Sequence, residues 1–217
     1  VKISVVKNIL EANQRIAEEN RRQFSRNQLL VINLMSSPGA GKTSLLEKTI
    51  LGLKGELRIG VVEGDIQSTY DAERIGQTGA PAVQINTGGA CHLDSNMVQE
   101  ALKNLDLPGL DLLFIENVGN LVCPAEFSLG EDFKAMILSV AEGDDKPLKY
   151  PLMFHESKIL LINKIDLLPF CECNPDLIEE RARKINPNLM IFRVSCRTGE
   201  GLDRWTDWLK NQVKPRK

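Results

Sequence analysis

Val31-Ile-Asn-Leu-Met-Ser-Ser-Pro-Gly-Ala-Gly-Lys-Thr-Ser44 decides how the chain is read. Its opening residues are apolar except for Asn33, as in a buried strand. From Ser36 to Thr43 it follows the phosphate-loop pattern G-x-x-x-x-G-K-S/T, with Ser36 in the place of the first glycine. Gly39 and Gly41 allow backbone conformations closed to other residues, so successive N–H groups can turn inward around phosphate oxygens. A helix starting at Lys42 adds its positive end. Lys42 is expected on the β- and γ-phosphates and the Thr43 hydroxyl on Mg²⁺, with Ala40 and Ser44 completing the nucleotide-binding run.

Outward from this stretch, strand and helix alternate. Apolar runs predict strands over 29–34, 58–62, 82–85, 112–116, 136–141, 158–163 and 190–195. Helical periodicity predicts helices over 42–53, 71–78, 94–105, 175–185 and 201–210. The expected fold is α/β: a P-loop NTPase with a doubly wound, mostly parallel sheet of about seven strands flanked by helices. Residues 1–26 precede it as an amphipathic helix, with Val5, Ile9, Ala12 and Ile16 at helical spacing, packed on the domain formed by 27–217 or, alternatively, serving as a dimer contact. At 217 residues the chain suits one well-cored domain. In doubly wound sheets, functional residues gather in the loops at the carboxyl ends of the strands.

Charged residues make up 26% of the chain and the formal net charge is only −2, so no broad field favours nucleic acid or an anionic membrane. No apolar run approaches the roughly 18 residues of a spanning helix, and the first residues are too polar for a signal sequence, which points to the cytoplasm. The chain opens on Val1 rather than Met, so an upstream segment could precede it. Five cysteines, at 91, 123, 171, 173 and 196, form an odd set without a disulfide framework and suggest thiols or metal ligands in a reduced compartment.

Asn163-Lys-Ile-Asp166 directly follows the run Lys158-Ile-Leu-Leu-Ile162 and is the N-K-x-D guanine-specificity motif of GTPases. Guanine presents two adjacent donors, N1–H and the 2-amino group, which the Asp166 carboxylate can accept together. Adenine lacks that pair. The Lys164 stem can cover the base while Asn163 ties this loop to its neighbours. Ser195-Cys196-Arg197, after the last strand, loosely resembles the loop whose backbone N–H completes the guanine pocket.

Magnesium needs oxygen ligands beyond Thr43, and Glu63, Asp65 and Glu116 are the carboxylates at strand ends. Glu116-Asn-Val-Gly119 stands where most GTPases have D-x-x-G, which puts Glu116 in the Mg²⁺ shell and the Gly119 N–H on the γ-phosphate. Asp65 opens the expected first switch, Glu63-Gly-Asp-Ile-Gln-Ser-Thr-Tyr-Asp71, and would position the attacking water. The plain alternative for each acid is a solvated strand-end carboxylate.

Cys91-His92 lies in the loop after the 82–85 strand, and Cys123 after the Glu116 to Gly119 turn, both on the expected nucleotide edge. Thiolate and imidazole suit nickel, zinc or copper, but three ligands fall short of a closed four-coordinate site, so two chains could share one. The competing reading is two buried cysteines and a surface histidine. Cys171-Glu-Cys173 is a weaker metal candidate, and His155 fits a partly packed loop.

With these residues in view, the chain resembles HypB, the SIMIBI-class GTPase family that helps insert nickel during maturation of NiFe-hydrogenases. The resemblance spans essentially the whole chain. It rests on Met35 to Ser44, Glu63-Gly-Asp65, Gly88-Gly-Ala-Cys-His-Leu93, Glu116-Asn-Val-Gly-Asn-Leu-Val-Cys123, Glu142-Gly-Asp-Asp-Lys-Pro-Leu-Lys-Tyr-Pro151 and Asn163 to Asp166. It implies a GTP-dependent homodimer that hydrolyses GTP to GDP and binds Ni²⁺ or Zn²⁺ through Cys91, His92 and Cys123. It further implies work with a HypA-type nickel metallochaperone on a hydrogenase large-subunit precursor. The cysteine- or histidine-rich amino-terminal motifs of some relatives do not occur within these residues, and Ser37 stands where related dimerising ATPases carry an extra lysine. Lys146 and Lys149 are candidates for acting across a dimer. A urease-type nickel accessory GTPase, a regulatory GTPase without metal function and a small-molecule kinase are the competing readings; Asp166 argues against the kinase.

Replacing Asp166 with Asn exchanges an acceptor for a donor against the guanine edge. GTP affinity should fall by on the order of 10²- to 10⁴-fold while xanthosine triphosphate binding rises. Unchanged GTP affinity in a direct binding titration would remove Asp166 from base recognition.

Overall fold

The computed structural model describes residues 5–65 and 70–216. The middle of the expected first switch, 66–69, and residues 1–4 lie outside them. Seven parallel strands form one sheet: β1 (Leu30–Ser36), β2 (Ile59–Asp65), β3 (Ala82–Asn86), β4 (Leu112–Glu116), β5 (Phe133–Ser139), β6 (Ile159–Asn163) and β7 (Met190–Arg193). Their order is β3-β2-β4-β1-β5-β6-β7. Strand β1 is central and every one of its residues is buried, whereas the edge strands β3 and β7 are only partly covered. Strands covered on both faces need near-continuous apolar runs, which β4 and β6 carry up to their last residue and β1 carries but for Asn33 and its terminal Ser36.

The helices are α1 (Val5–Arg26), α2 (Lys42–Gly52), α3 (Tyr70–Gln77), α4 (Ser95–Leu102), α5 (Cys123–Glu126), α6 (Lys146–Lys149), α7 (Pro151–Glu156), α8 (Pro175–Ile185) and α9 (Leu202–Val213). Short helices α5, α6 and α7 were not foreseen, since four to six residues carry too little periodicity to register. Strand β2 runs three residues beyond its expected end, to Asp65, and β5 begins at Phe133 rather than 136. Both extensions are held by register: Asp65 pairs with Asn86, and Ile32 with Phe133.

The contact face of α1 differs from the expected stripe. Ile9 is 53% exposed and Ala12 is exposed, while Asn13, Ala17, Asn20 and Phe24 are buried. Amide hydrogen bonds seat this face. Asn13 Nδ2 donates to Ser128 O at 2.8 Å and its Oδ1 accepts from Ser95 N at 2.8 Å. Asn20 Nδ2 donates to Ser95 O at 2.9 Å and Leu129 O at 3.1 Å. Two asparagines that bond loop backbone have displaced the aliphatic seam that periodicity alone suggests.

On the opposite side Trp205 of α9 is fully buried and stacks on Trp208 with centroids 5.6 Å apart. Its indole N–H donates to Thr49 Oγ1 of α2 at 3.0 Å. This pins the helix that follows the phosphate loop against the sheet. Trp205→Ala should lower the unfolding free energy by about 3–5 kcal/mol. Trp205→Phe, which keeps a ring but drops the hydrogen bond, should cost markedly less. Denaturant titrations of the two variants check this, and equal losses would assign the effect to the hydrogen bond alone.

Candidate functional site

The carboxyl ends of β1, β2, β4 and β6 face one region, and the loops leaving them line two adjoining cavities. The first, of about 440 Å³, is bounded by Gly39, Gly41, Lys42, Thr43 and Ser44 with Glu63, Asp65, Glu116 and Gly119. Asp71 and Arg74 of α3 complete its wall. Ser36 gives its hydroxyl a use there: Lys42 Nζ donates to Ser36 Oγ at 3.1 Å, which holds the ammonium over the loop. Thr43 Oγ1 donates to Glu116 Oε1 at 3.0 Å. The Ser37 hydroxyl bonds the Glu142 carboxylate, tying the loop to the segment after β5. Lys146 and Lys149 of α6 both pair with Asp145, which precedes the helix.

Glu63 and Glu116 are adjacent and buried, at 2% and 4% exposure. Burial, followed by the charge of Glu116, pushes the Glu63 carboxyl up to about 10. Burial also raises Glu116, against the opposing pull of Lys42 and the hydrogen bonds from Glu63 and Thr43. Glu63 Oε1 and Glu116 Oε2 are each buried without a hydrogen-bond partner. Two orphaned carboxylate oxygens beside a threonine hydroxyl form the hard oxygen set that a magnesium ion takes, so these residues fit that ion.

The second cavity, of about 330 Å³, is lined by Asn163, Lys164, Asp166, Cys196 and Arg197 with Gly41, Ser44 and Lys48. Asn163 Nδ2 donates to Ala40 O at 2.9 Å, while its Oδ1 accepts from Lys164 N at 2.8 Å and Cys196 N at 3.4 Å. Lys164 Nζ donates to Gly39 O at 2.6 Å. Ser195 is fully buried and its hydroxyl donates to Asp166 Oδ1 at 2.6 Å, so its side chain orients the carboxylate rather than lining the cavity. The Cys196 thiol is pushed up to about 11, chiefly by burial, and is therefore an unreactive wall.

Beyond the first cavity, Cys91, His92 and Cys123 converge, with their ligand atoms all within 4.8 Å of one another. Cys91 Sγ lies 3.2 Å from Cys123 Sγ and 3.5 Å from His92 Nδ1. The His92 ring packs against Phe127, centroids 4.0 Å apart. Its burial lowers its proton affinity and favours the neutral imidazole that ligates metal. Contact with Cys91, then burial, raises the Cys123 thiol, so a metal must displace its proton. Among the described residues this is the one such cluster; Cys171, Cys173 and His155 do not join it or form another.

Arg74 did not stand out in the sequence. Its guanidinium bonds both Glu47 oxygens, Asp71 at 3.2 Å and Ser44 Oγ at 3.3 Å, at the point where α3 meets the phosphate loop. An arginine on a predicted helix is ordinarily solvated, and only the crossover that returns α3 to α2 gives it this position.

Comparison with known proteins matches residues 30–193 to the CobW/HypB/UreG nucleotide-binding domain family. The hydrogenase maturation factor HypB of Azotobacter vinelandii is 53% identical over 210 residues, covering 97% of this chain and 69% of that protein. Its counterpart in Escherichia coli K12 is 50% identical over 204 residues, covering 94% and 70%. The crystal structure of HypB from Helicobacter pylori in complex with nickel aligns with a TM-score of 0.90 at 38% identity, over 94% of this chain and 96% of that one.

The raised Glu63 carboxyl has a consequence for stability. Its folded value exceeds the 4.5 of an ordinary glutamate, so the folded chain holds a proton that the unfolded chain releases. This contribution is intact below pH 4.5 and is lost as pH climbs towards 10. Nucleotide-free protein should therefore lose stability progressively between pH 6 and pH 9 through this group. Glu63→Gln should flatten that slope in urea titrations; an identical slope in wild type and variant would exclude a proton held at Glu63.

Proposed function

The chain belongs to the HypB family within the CobW/HypB/UreG group, and on that premise we propose that it is a GTP-hydrolysing metallochaperone for NiFe-hydrogenase maturation. The observation that carries this reading is the Cys91–His92–Cys123 cluster, whose Cys123 follows the Asn117 to Gly119 turn that borders the phosphate cavity. A regulatory GTPase without metal function gives no reason for two thiols and an imidazole to converge there.

In this reading Lys42 and the N–H groups from Gly39 to Thr43 neutralise the β- and γ-phosphates, and Ser44 closes the run. Asp166 accepts both guanine donors, with Asn163, Lys164, Ser195 and Cys196 shaping the base pocket. Thr43, Glu63, Asp65 and Glu116 hold magnesium, which when bound spreads the charge of the transferring phosphoryl group. Asp65 orients the attacking water and the Gly119 N–H meets the γ-phosphate. Phosphoryl transfer depends chiefly on positioning and charge neutralisation. Unaided turnover is slow, on the order of 10⁻⁴ per second.

Ni²⁺ or Zn²⁺ is the cargo. Three soft ligands per chain leave a tetrahedral site short of closure, which supports a GTP-dependent homodimer in which two clusters meet. Val122, beside Cys123, is 56% exposed and gives that face an apolar contact. A HypA-type metallochaperone and the hydrogenase large-subunit precursor are the proposed partners, by analogy with the hydrogenase maturation factors the chain resembles. Among the described residues no helix is long and apolar enough to cross a membrane, and we place the protein in the cytoplasm. Residues 27–217 act as the GTPase domain, with the helix Val5–Arg26 seated upon it.

Titrating the purified chain with Ni²⁺ and Zn²⁺, with GDP or a non-hydrolysable GTP analogue, tests the reading. Stoichiometric binding should weaken by more than the roughly 10–100-fold of a lost supporting contact in both Cys91→Ala and Cys123→Ala, because each removes a ligand. Full affinity in both variants would leave a GTPase switch with no metal role for this cluster.

A further inference from the structure

We infer that Asn117 is the positioning residue through which the nucleotide pocket sets the backbone of the metal-binding loop at Cys91 and His92. The inference rests on the GTPase and metal reading above and adds the physical connection between its two halves. Asn117 directly follows Glu116 and is 1% exposed. Its backbone N–H donates to Leu34 O of β1 at 2.9 Å, which fixes it at the sheet edge.

Its carboxamide faces two ways. Asn117 Oδ1 accepts from Val118 N at 3.0 Å and from Leu93 N at 3.0 Å. One buried carbonyl oxygen thus receives the first peptide of the turn leading to Gly119 and the peptide that joins His92 to Leu93. Both lone pairs are used, so a shift of the Val118 peptide that redirects this oxygen leaves the Leu93 N–H to follow or to go unpaired in a dry site. Asn117 Nδ2 donates to Asn33 Oδ1 of β1 at 3.2 Å, giving the amide a fixed pivot in the central strand.

The two ends of this connection have little slack. A side chain at Gly119 would meet Pro38 of the phosphate loop at 2.9 Å, so the turn rests directly on that loop. Leu93 is fully buried, and a side chain at Gly64, between Glu63 and Asp65, would meet it at 2.7 Å. A second tie runs along the surface: Asn120 Nδ2 donates to Cys91 O at 3.2 Å, while its Oδ1 accepts from Val122 N at 2.8 Å, next to Cys123. Two asparagines of one turn therefore hold the backbone on both sides of the ligand cluster. Metal–ligand distances tolerate only about 0.2 Å, so a small displacement of that backbone alters affinity strongly.

Ni²⁺ affinity of the full chain should differ between the GDP form and the Mg²⁺–GMPPNP form, within the roughly 5- to 150-fold usual for coupled sites. Asn117→Ala should bring that ratio to within about twofold of unity when each form is compared at saturating nucleotide. Asn117→Asp, which retains the acceptor, should restore most of the ratio, and Asn120→Ala on the surface should reduce it in part. A metal-free readout accompanies these: the Leu93 amide resonance should move between the two nucleotide forms in wild type and stay in place in Asn117→Ala. Should the alanine variant not fold, Asn117→Ser, whose hydroxyl is too short to span both N–H groups, takes its place. A wild-type ratio of one, or an unchanged ratio and Leu93 shift in the Asn117 variant, overturns the inference. Absence of Ni²⁺ binding in wild type would instead overturn the functional reading beneath it.

Discussion

Two carboxyl groups buried side by side at the ends of β2 and β4 impose the constraint around which the site is arranged. Glu63 and Glu116 cannot both ionise there without help, and the chain supplies that help from one direction only. Lys42 comes from the phosphate loop and Thr43 from the first turn of α2. The remaining oxygens are left for a cation. The helix–sheet packing behind them, anchored by Trp205 on Thr49, prevents α2 from drifting away from this charge pair.

The second ligand centre depends on the same strand end. Glu116 begins a turn whose following residues are Asn117, Gly119, Asn120 and, after one more tight corner, Cys123. A short piece of chain thus passes from hard oxygen chemistry to soft sulfur chemistry with little intervening slack. His92, reached from β3, is brought to the same place by its packing on Phe127 and by the amide contacts of its neighbours. The two clusters differ in ligand type, carboxylate and hydroxyl on one side and thiol and imidazole on the other, so they suit hard and soft cations respectively.

Much of this was legible in the sequence because its signals are local. The phosphate loop, Asn163 to Asp166 and all seven strands are each contiguous, and a parallel sheet collects their carboxyl ends without further information. The convergence of Cys91, His92 and Cys123 needed topology as well, since β4 had to be inserted between β1 and β2 to bring the two loops together. Arg74 and the shared acceptor at Asn117 were not legible: each acts through backbone or side chains distant in sequence. The contact face of α1 was misread for a related reason, because amide side chains that bond loop carbonyls leave no apolar periodicity.

The close fit between Gly41 and Asn163 constrains how the protein can change. A β-carbon on Gly41 would lie 2.5 Å from the Asn163 amide nitrogen, which is already engaged by the neighbouring Ala40 carbonyl. The phosphate-loop motif around Gly41 and the Asn163-Lys-Ile-Asp166 loop therefore occupy a single steric unit, although Ala40 and Asn163 lie 123 residues apart in the chain. Neither can be exchanged for a version from another nucleotide-binding protein alone. Any lineage, natural or engineered, that altered the base preference by replacing this loop would have to alter both halves together.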